Sequence, residues 1–438
     1  MVSRVTNLWN GAGLTRKANS VFPQGISCLT IGNKGFELDL PHVPPILDKI
    51  VSVLLEGIFN GLSTSSVLLI AALGLAIVFG LMGVINLAHG ELMMLGAYST
   101  FVVQNLFQSF GEPWFDLYIF AALPVAFLVA AIAGLVLERQ VIRYLYGRPL
   151  ETLLATWGVS LILQQFVRSV NWIMVLVVGI FLLLYFGGTW LIKRQAGGKP
   201  WLGKAQVILF FLSAAIGSIS GFVVAQGNSP LWNRAWFGAR NVNVSAPTWL
   251  RGGLAIGTFQ VPYTRIFIIF LTLLCLLAVY LIFYRSNWGL RIRAVTQNRG
   301  MSACLGIPTG QVDALTFALG SGLAGIAGCA ISFLGAVGPN IGQNYIINTF
   351  MVVVVGGVGN LLGTIIASLA IGVSSDLIGS GTLIRLFPPE GALQPLYEFF
   401  TFFATTSMAR VLVFALIILF LQIKPAGIFP PKGRTAEL

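Results

Sequence analysis

The chain has 438 residues, of which 56% are hydrophobic and only 9% charged, and its mean hydropathy is +0.87. This composition excludes a soluble globular protein, because a globule of this length could not bury so much apolar surface. The net charge of +12 would suggest nucleic acid binding in a soluble protein, but here the basic residues lie in a few short loops, where they act as topology signals and contact anionic lipid.

The first 45 residues lack the sustained apolar pattern of the rest. Glycines alternate with basic and amide residues, and Pro41, Pro44 and Pro45 close the segment. Since no basic stretch followed by an apolar core is present, a secretory signal is not indicated. The sequence predicts a loosely ordered extension over 1–45, or residues upstream of the true start, followed by a membrane domain over 46–424 and a cytoplasmic tail over 425–438.

Apolar segments recur beyond Pro45, each long enough to cross about 30 Å of hydrocarbon as a helix of about 20 residues. They predict an all-α polytopic membrane protein with about ten transmembrane helices, including short broken segments. The predicted crossings are 64–84, 86–108, 116–137, 152–168, 170–192, 206–226, 263–283, 312–335, 345–379 and 399–422.

Basic loops set the orientation, since Lys and Arg are enriched on the cytoplasmic side. Such residues lie in four places: Arg139, Arg143 and Arg148; Lys193, Arg194, Lys199 and Lys204; Arg285 to Arg299; and Lys424, Lys432 and Arg434. A helix over 345–379 would span about 52 Å, too long for one crossing, and GGVGN at 356–360 interrupts it. Two short crossings there put the last two basic regions on one side, and 227–262 outside despite Arg234, Arg240 and Arg251.

The segment VINLAHGELMMLGAY at 84–98 places Asn86, His89 and Glu91 in otherwise apolar sequence. Ionisable groups within the hydrocarbon are costly unless they face a cavity or a partner. With Gly83 and Gly90 flanking them, one hypothesis is a broken helix that lines the pathway of a solute. The other is a turn at the membrane surface, where His and Glu cost little.

Further polar side chains recur inside the crossings: Thr156, Ser160, Gln164 and Gln165 in one, and Asn344, Asn348 and Thr349 in or beside another. Thr156, Gln164 and Asn344 are pathway candidates, because uncharged donors and acceptors suit a neutral polar solute. The alternative is hydrogen bonding between helices, which also explains such residues. The glycine run Gly320, Gly322, Gly325 and Gly328 is explained by close helix packing. Asp313 is interpreted as a helix N-terminal charge, and Arg410 as the outer edge of a crossing.

The loop RSNWGLRIRAVTQNRGMSACLGIP at 285–308 is basic and contains no acidic residue. Met301, Cys304 and Leu305 have i, i+3, i+4 spacing, and Gly306 followed by Pro308 ends a helix. The sequence therefore predicts a short helix on the cytoplasmic side, outside the bilayer, with one apolar face suited to bind another protein.

Enzymatic functions find little support. The chain has two histidines, His42 and His89, and 14 scattered acidic residues, so no metal cluster or catalytic triad can be assembled. It has no GxxxxGK[ST] motif for ATP, and its four cysteines form no CxxC. The sequence predicts a transport protein without a cofactor: a passive channel, an ion-coupled carrier or the membrane subunit of a pump.

Several segments carry a family resemblance: VINLAHGELMMLGAY, LETLLATWGVSLILQQ, RAVTQNRGMSACLGIPTGQVDALTFALG, GPNIGQNYI, FMVVVVGGVGNLLGT and KPAGIFP. Over 50–434 the chain resembles the permease subunits of ATP-driven branched-chain amino acid importers. It is closest to the urea branch, to which WFGARNV at 236–242 is similar. The resemblance implies a bacterial inner-membrane permease that pairs with a second permease, two cytoplasmic ATPases and a periplasmic binding protein.

The resemblance also implies a role for the loop at 285–310. A short helix over 296–305 would dock in a groove of an ATPase, and Gly306 would end it. Its apolar face would enter the groove through Met301, Cys304 and Leu305. The residues around it would be Arg291, Arg293, Gln297, Asn298 and Arg299. The alternative is a basic loop on anionic lipid. The Glu-Ala-Ala-x3-Gly signature of ATP-driven permeases is absent, since Asn298, Arg299 and Gly300 stand near its place.

The pair of crossings over 170–226 looks like an inserted hairpin relative to compact family members. The mechanism implied is alternating access, with urea or a close neutral solute as cargo. The alternative cargo is a branched-chain or other amino acid, and a passive urea channel is the alternative from a different class.

Overall fold

A computed structural model describes residues 45–196, 202–227, 236–237, 240–256, 259–386 and 394–429. Almost all of the predicted 1–45 extension lies outside these residues, as do Lys199, Arg234 and the tail beyond Phe429.

The described residues are mostly helical, which confirms an all-α polytopic membrane protein. The helices are α1 (Pro45–Met82), α2 (His89–Ser109), α3 (Glu112–Phe115), α4 (Tyr118–Gln140), α5 (Pro149–Ser169), α6 (Trp172–Ala196), α7 (Leu202–Gln226), α8 (Tyr263–Arg285), α9 (Asn287–Gln297), α10 (Arg299–Cys304), α11 (Thr309–Ser332), α12 (Ile341–Gly356), α13 (Leu361–Gly379), α14 (Gln394–Phe403) and α15 (Thr406–Ile423). Within the described ranges, eight helices are long and apolar enough to cross a membrane. The shorter apolar α12 and the bent pair α14–α15 add to them.

The long segment predicted to break at GGVGN is broken there, between α12 and α13. Gly357 and Gly359 have φ angles of 98° and 85°, a region that side chains with a Cβ rarely adopt. Residues 427–429 dock on this break, and the Ile428 amide donates a hydrogen bond of 2.8 Å to the Val355 carbonyl oxygen at the end of α12. Residues 427–429, which follow the last crossing, therefore pack against the GGVGN break.

A different loop lies at each end of α8. At its Arg285 end lie α9 and α10, and Arg299 of α10 contacts both α11 and the turn after α4. At its Tyr263 end lies the 240–262 loop, where Val242 and Val337 form a β-bridge. The two loops lie at opposite ends, as the parity count requires. The outside position of 227–262 stays a prediction of the parity count.

Two short strands were not foreseen from sequence. Strands β1 (Gly253–Ile256) and β2 (Phe259–Pro262) form an antiparallel pair in the 240–262 loop, with Gly253 opposite Pro262. At the same end of the molecule, α15 begins only at Thr406, so Arg410 lies one turn inside the helix and is exposed. This agrees with a crossing that starts later than residue 399.

The tightest packing is between α1, α2, α4 and α11, where glycines let backbones touch. A Cβ on Gly320 of α11 would lie 2.7 Å from the Gly74 carbonyl oxygen of α1. A Cβ on Gly328 would overlap the Met93 carbonyl oxygen of α2, and one on Gly325 would overlap the Ala126 carbonyl oxygen of α4. The glycine run thus serves helix packing, as the sequence indicates.

The helices α6 and α7 form the hairpin predicted over 170–226, and they pack mainly on each other. None of the most apolar 18-residue stretch of α6 is buried. The Trp236 amide donates a 2.9 Å hydrogen bond to the Val170 carbonyl oxygen, and the rings of Trp172 and Trp236 lie 4.8 Å apart. The chain thus leaves the bundle after Val170 and returns to it at Trp236, and these two residues are neighbours.

Candidate functional site

A backbone break separates α1 from α2 inside the bundle. Helix α1 ends at Met82, Gly83 has a φ of 67°, and α2 starts at His89. Backbone groups freed by such a break need partners within a membrane protein. Thr156 of α5 supplies them, since its hydroxyl accepts from the Leu87 amide at 3.2 Å and lies 3.4 Å from the Ile85 carbonyl oxygen. The prediction of a broken helix between Gly83 and Gly90 agrees with this arrangement.

A row of polar side chains on α5 faces the break. Its members recur every four residues and so share one face of the helix: Thr152, Thr156, Ser160, Gln164 and Arg168. The first four are buried, and Arg168 is half-buried. We call this row, together with Asn86, His89, Glu91, Tyr98 and Asn340, the polar seam.

Asn86, His89 and Glu91 are at most 1% exposed, so they do not form a turn at the surface of the chain. The Nε2 of His89 donates to the Ala71 carbonyl oxygen at 3.0 Å, which makes its Nδ1 the unprotonated ring nitrogen. The Ser160 hydroxyl donates to Oε1 of Glu91 at 3.1 Å. All three side chains thus lie inside the bundle beside α5.

The far end of the seam is closed by a loop before α12. The side-chain amide of Gln164 donates to the Asn340 side-chain oxygen at 2.9 Å and to the Pro339 carbonyl oxygen at 3.2 Å. A guanidinium nitrogen of Arg168 donates to the same Asn340 oxygen at 2.5 Å. The seam thus joins α2, α5 and the start of α12.

Several polar atoms of the seam have no protein partner among the described residues. They are Asn86 Nδ2, His89 Nδ1, Glu91 Oε2, Tyr98 Oη and Arg168 Nε. A buried polar atom left without a hydrogen bond costs about 1–3 kcal/mol. Five such atoms along one buried row are the feature that a pathway for water or a polar solute would explain.

The predicted coupling helix is two helices instead of one. Helix α9 ends at Gln297, and α10 starts at Arg299. The Asn298 side-chain oxygen between them accepts from the Met301 amide at 2.9 Å, which caps α10 and explains the break. A single helix over 296–305 is therefore wrong, although its end at Gly306, with a φ of 81°, is confirmed.

The apolar face of α10 is exposed. The exposed fraction is 59% for Met301 and 75% for Leu305, and Cys304 is exposed too. On α9, the guanidinium groups of Arg291 and Arg293 stack over Trp288 and Tyr284, at 5.6 and 5.5 Å from the ring centres. The loop thus presents three apolar side chains near two arginines.

Arg299 has an acidic partner outside its own loop, which contains no acidic residue. Its guanidinium lies 2.6 Å from an Asp313 carboxylate oxygen and 4.8 Å from the centre of the Tyr146 ring. The Asp313 side chain is only 7% exposed, so it is more than a helix N-terminal charge. The Tyr146 hydroxyl donates to a Glu138 carboxylate oxygen at 3.3 Å, and burial, with the nearby Asp313 and Glu138, raises the pKa of Tyr146, which keeps it a donor.

Comparison with known proteins decides the family. The family model described as the permease component of branched-chain amino acid transport systems matches residues 57–421. The chain belongs to this permease family. It is 26% identical over 376 residues to the high-affinity branched-chain amino acid transport system permease protein LivH of Escherichia coli K12, covering 85% of this chain and 94% of that protein.

Other relatives agree. The permease protein BraD of Pseudomonas aeruginosa is 25% identical, covering 77% of this chain and 95% of its own. A probable LivH of Methanocaldococcus jannaschii is 27% identical, covering 72% and 78%. No solved structure matches significantly. The chain is thus a multi-pass inner-membrane transport subunit and not an enzyme, in a family whose members work with ATPase and substrate-binding partners.

The structure of this permease shows which of the residues predicted from sequence lie in the polar seam. Asn86, His89, Glu91, Thr156 and Gln164 lie together in the seam. Asn344 does not, since its side chain is exposed on α12, and Asn340 lies in the seam instead. Sequence reasoning also missed Arg168 and Tyr98. The repeat of polar residues every four positions from Thr152 was the signal that could have revealed Arg168.

Proposed function

We propose that this permease is the membrane subunit of an ABC-type importer and moves a small polar solute along the polar seam by alternating access. It would pair with a second permease, two cytoplasmic ATPases and a periplasmic binding protein. The observation that carries the proposal is the buried seam itself. Its unpartnered polar atoms would be satisfied in turn by water and by the solute.

An amino acid is the cargo that the seam fits better. Glu91 and Arg168 lie on the same seam, so together they would offer one group of each charge sign to a zwitterion. A carboxylate would meet the guanidinium, and an ammonium group would meet Glu91 Oε2, which has no described partner. The similar proteins that carry branched-chain amino acid transport in their names support the same cargo.

Urea is the second candidate. Thr156, Ser160 and Gln164 provide neutral donors and acceptors, and the residues at 236–242 resemble the urea branch of the family. Urea would need neither charge of the seam. The dependence of uptake on Glu91 and Arg168 therefore separates the two cargoes.

The apolar face of α10 is the proposed contact with an ATPase. Met301, Cys304 and Leu305 would enter a groove of that partner, as amphipathic helices do. Arg291, Arg293 and Gln297 would lie at the rim, where charge affects encounter more than affinity. Asn298 and Gly306 would fix the two ends of the docking helix.

The test is accumulation of labelled leucine and labelled urea in proteoliposomes that hold the complete complex. We expect accumulation of leucine above the outside concentration, with ATP only. Accumulation of urea alone would move the assignment to the second candidate. Flux of either solute that persists without ATPases, and stops at equal concentrations, would show a passive channel and overturn the proposal.

A further inference from the structure

Arg299 ties the exposed helix α10 to the bundle. Arg299 is the first residue of α10, and its guanidinium contacts Asp313 on α11 and the Tyr146 ring in the turn after α4. Tyr146 in turn donates to Glu138, which is buried near the end of α4. One side chain thus joins the proposed docking helix to two helices of the packed bundle.

The other basic residues of the loop have no such role. Arg291 and Arg293 are exposed and stack on aromatic rings of their own segment, and neither forms an ion pair with a carboxylate within the described part of the chain. Arg299 is half-exposed at 49%, but its partner Asp313 is buried. Removal of the arginine would leave a buried carboxylate without its counterion, which is unfavourable.

The helix reached through Asp313 also leads to the seam. Two turns further along α11, Gly320 touches the backbone of α1 at Gly74, and a Cβ on Gly74 would lie 3.0 Å from the His89 ring. Further on, the backbone of Gly325 lies against Gly96 of α2, the helix that carries Glu91. Because backbone atoms touch directly at these points, no side chain can move aside to absorb a shift of α11. Such a shift therefore has to displace α1 or α2.

We propose that Arg299 is a positioning residue that latches α10 to α11 and to the turn after α4, so that motion of a docked partner is passed to the seam. The proposal rests on the proposed function, in which an ATPase moves α10. The latch also explains why residues 298–300 differ from the Glu-Ala-Ala-x3-Gly signature of ATP-driven permeases. The basic residue at this point is directed inward to a carboxylate of its own chain.

The first test is a double-mutant cycle in the reconstituted complex, measured as solute taken up per ATP hydrolysed. We expect Arg299→Ala and Asp313→Asn each to lower this ratio about tenfold, and the double variant to lower it no further, because contacting residues couple by energies of this size. Arg299→Lys should recover part of the ratio. Arg285→Ala, which changes an exposed arginine of the same loop outside the proposed docking surface, should keep it.

The proposed latch would be contradicted if Arg299→Ala kept the wild-type ratio of solute taken up per ATP hydrolysed. It would also be contradicted if the double variant lowered that ratio by the product of the two single losses. A purely structural role would lower the amount of complex and its ATPase rate together while leaving the ratio unchanged, and that result would overturn it too.

The second test needs no transport. A spin label on exposed Cys304, in the full chain with Cys28→Ser, reports the mobility of α10, since Cys275 and Cys329 are buried. We expect the spectrum to narrow in Arg299→Ala and to stay unchanged in Arg291→Ala. An unchanged spectrum in Arg299→Ala contradicts the latch. A wild-type complex that fails to accumulate solute contradicts the proposed function instead, and the label still decides the latch.

Discussion

The packed bundle of α1, α2, α4 and α11 and the hairpin of α6 and α7 are both apolar, yet they are built differently. In the bundle, glycines bring backbones into contact and buried polar residues line a seam. In the hairpin, the two helices pack mainly on each other, and their outer faces are exposed. Apolar composition identifies both as membrane helices, but only close backbone packing marks the part in which small movements are transmitted.

The largest expected effect is a side chain added within the bundle. Gly328→Val places methyl groups against the Met93 backbone of α2, where overpacking costs about 1–3 kcal/mol or more because backbone cannot yield easily. We expect little folded protein by size-exclusion chromatography. The matched control is Gly179→Val in α6, where nothing lies within 4 Å of the new Cβ. An equal loss of folded protein in both variants would contradict the difference in packing between the bundle and the hairpin.

A large loss is also expected at Glu91. Glu91→Gln keeps the shape of the side chain but removes its charge, and we expect amino acid uptake to fall about 10- to 100-fold, since hydrogen bonds to charged groups contribute about 1.5–3 kcal/mol. The control is Glu151→Gln, which changes an exposed carboxylate that pairs with Arg148 at 3.1 Å. Wild-type uptake by Glu91→Gln would exclude this carboxylate from the pathway.

A moderate effect is expected on the exposed face of α10. Leu305→Ser removes an apolar side chain from the proposed docking surface and should lower uptake per ATP about fivefold, the size of a contact worth about 1 kcal/mol. Leu150→Ser is the control, because Leu150 is 82% exposed and lies outside α10. Should both substitutions act alike, the face of α10 has no special role.

The smallest effect is expected from removal of the hairpin. Because residues 170 and 236 are hydrogen-bonded neighbours, a short Gly/Ser linker can replace 171–235 without stretching the chain. The excised part contains two crossings, so the orientation of every later helix is kept. We expect folded protein and uptake within about twofold of wild type, since a change confined to an outlying element is well tolerated. Loss of insertion or of uptake would show that the hairpin belongs to the working part.

Much of the fold could be predicted from sequence because bilayer physics leaves few options. Span length and parity predicted the break at GGVGN, and the glycine run predicted close packing. Asn86, His89 and Glu91 could be grouped from sequence because they share one short segment, and the structure buries all three. These inferences need only length, period and local charge.

The remaining features depend on contacts between distant residues. The loop contains no acidic residue to suggest a partner for Arg299, and its partner Asp313 follows 14 positions later on α11. The break at Asn298 depends on a side-chain cap that competes with a continuous helix. Asn344 was preferred to Asn340 because only the folded chain shows which amide faces Gln164. None of these choices is visible in hydrophobic periodicity.

The central claim is that the seam is the pathway of the solute and that ATP changes the side to which it opens. It is tested most directly by Ser160→Cys, in a background with Cys28→Ser and Cys304→Ser, in the reconstituted complex. The measurement is the labelling rate of the new thiol by an impermeant reagent added on either side. We predict labelling from one side without nucleotide and from the other when ATP is bound and cannot be hydrolysed. Labelling that ignores ATP, or never reaches Ser160→Cys from either side, would contradict the account.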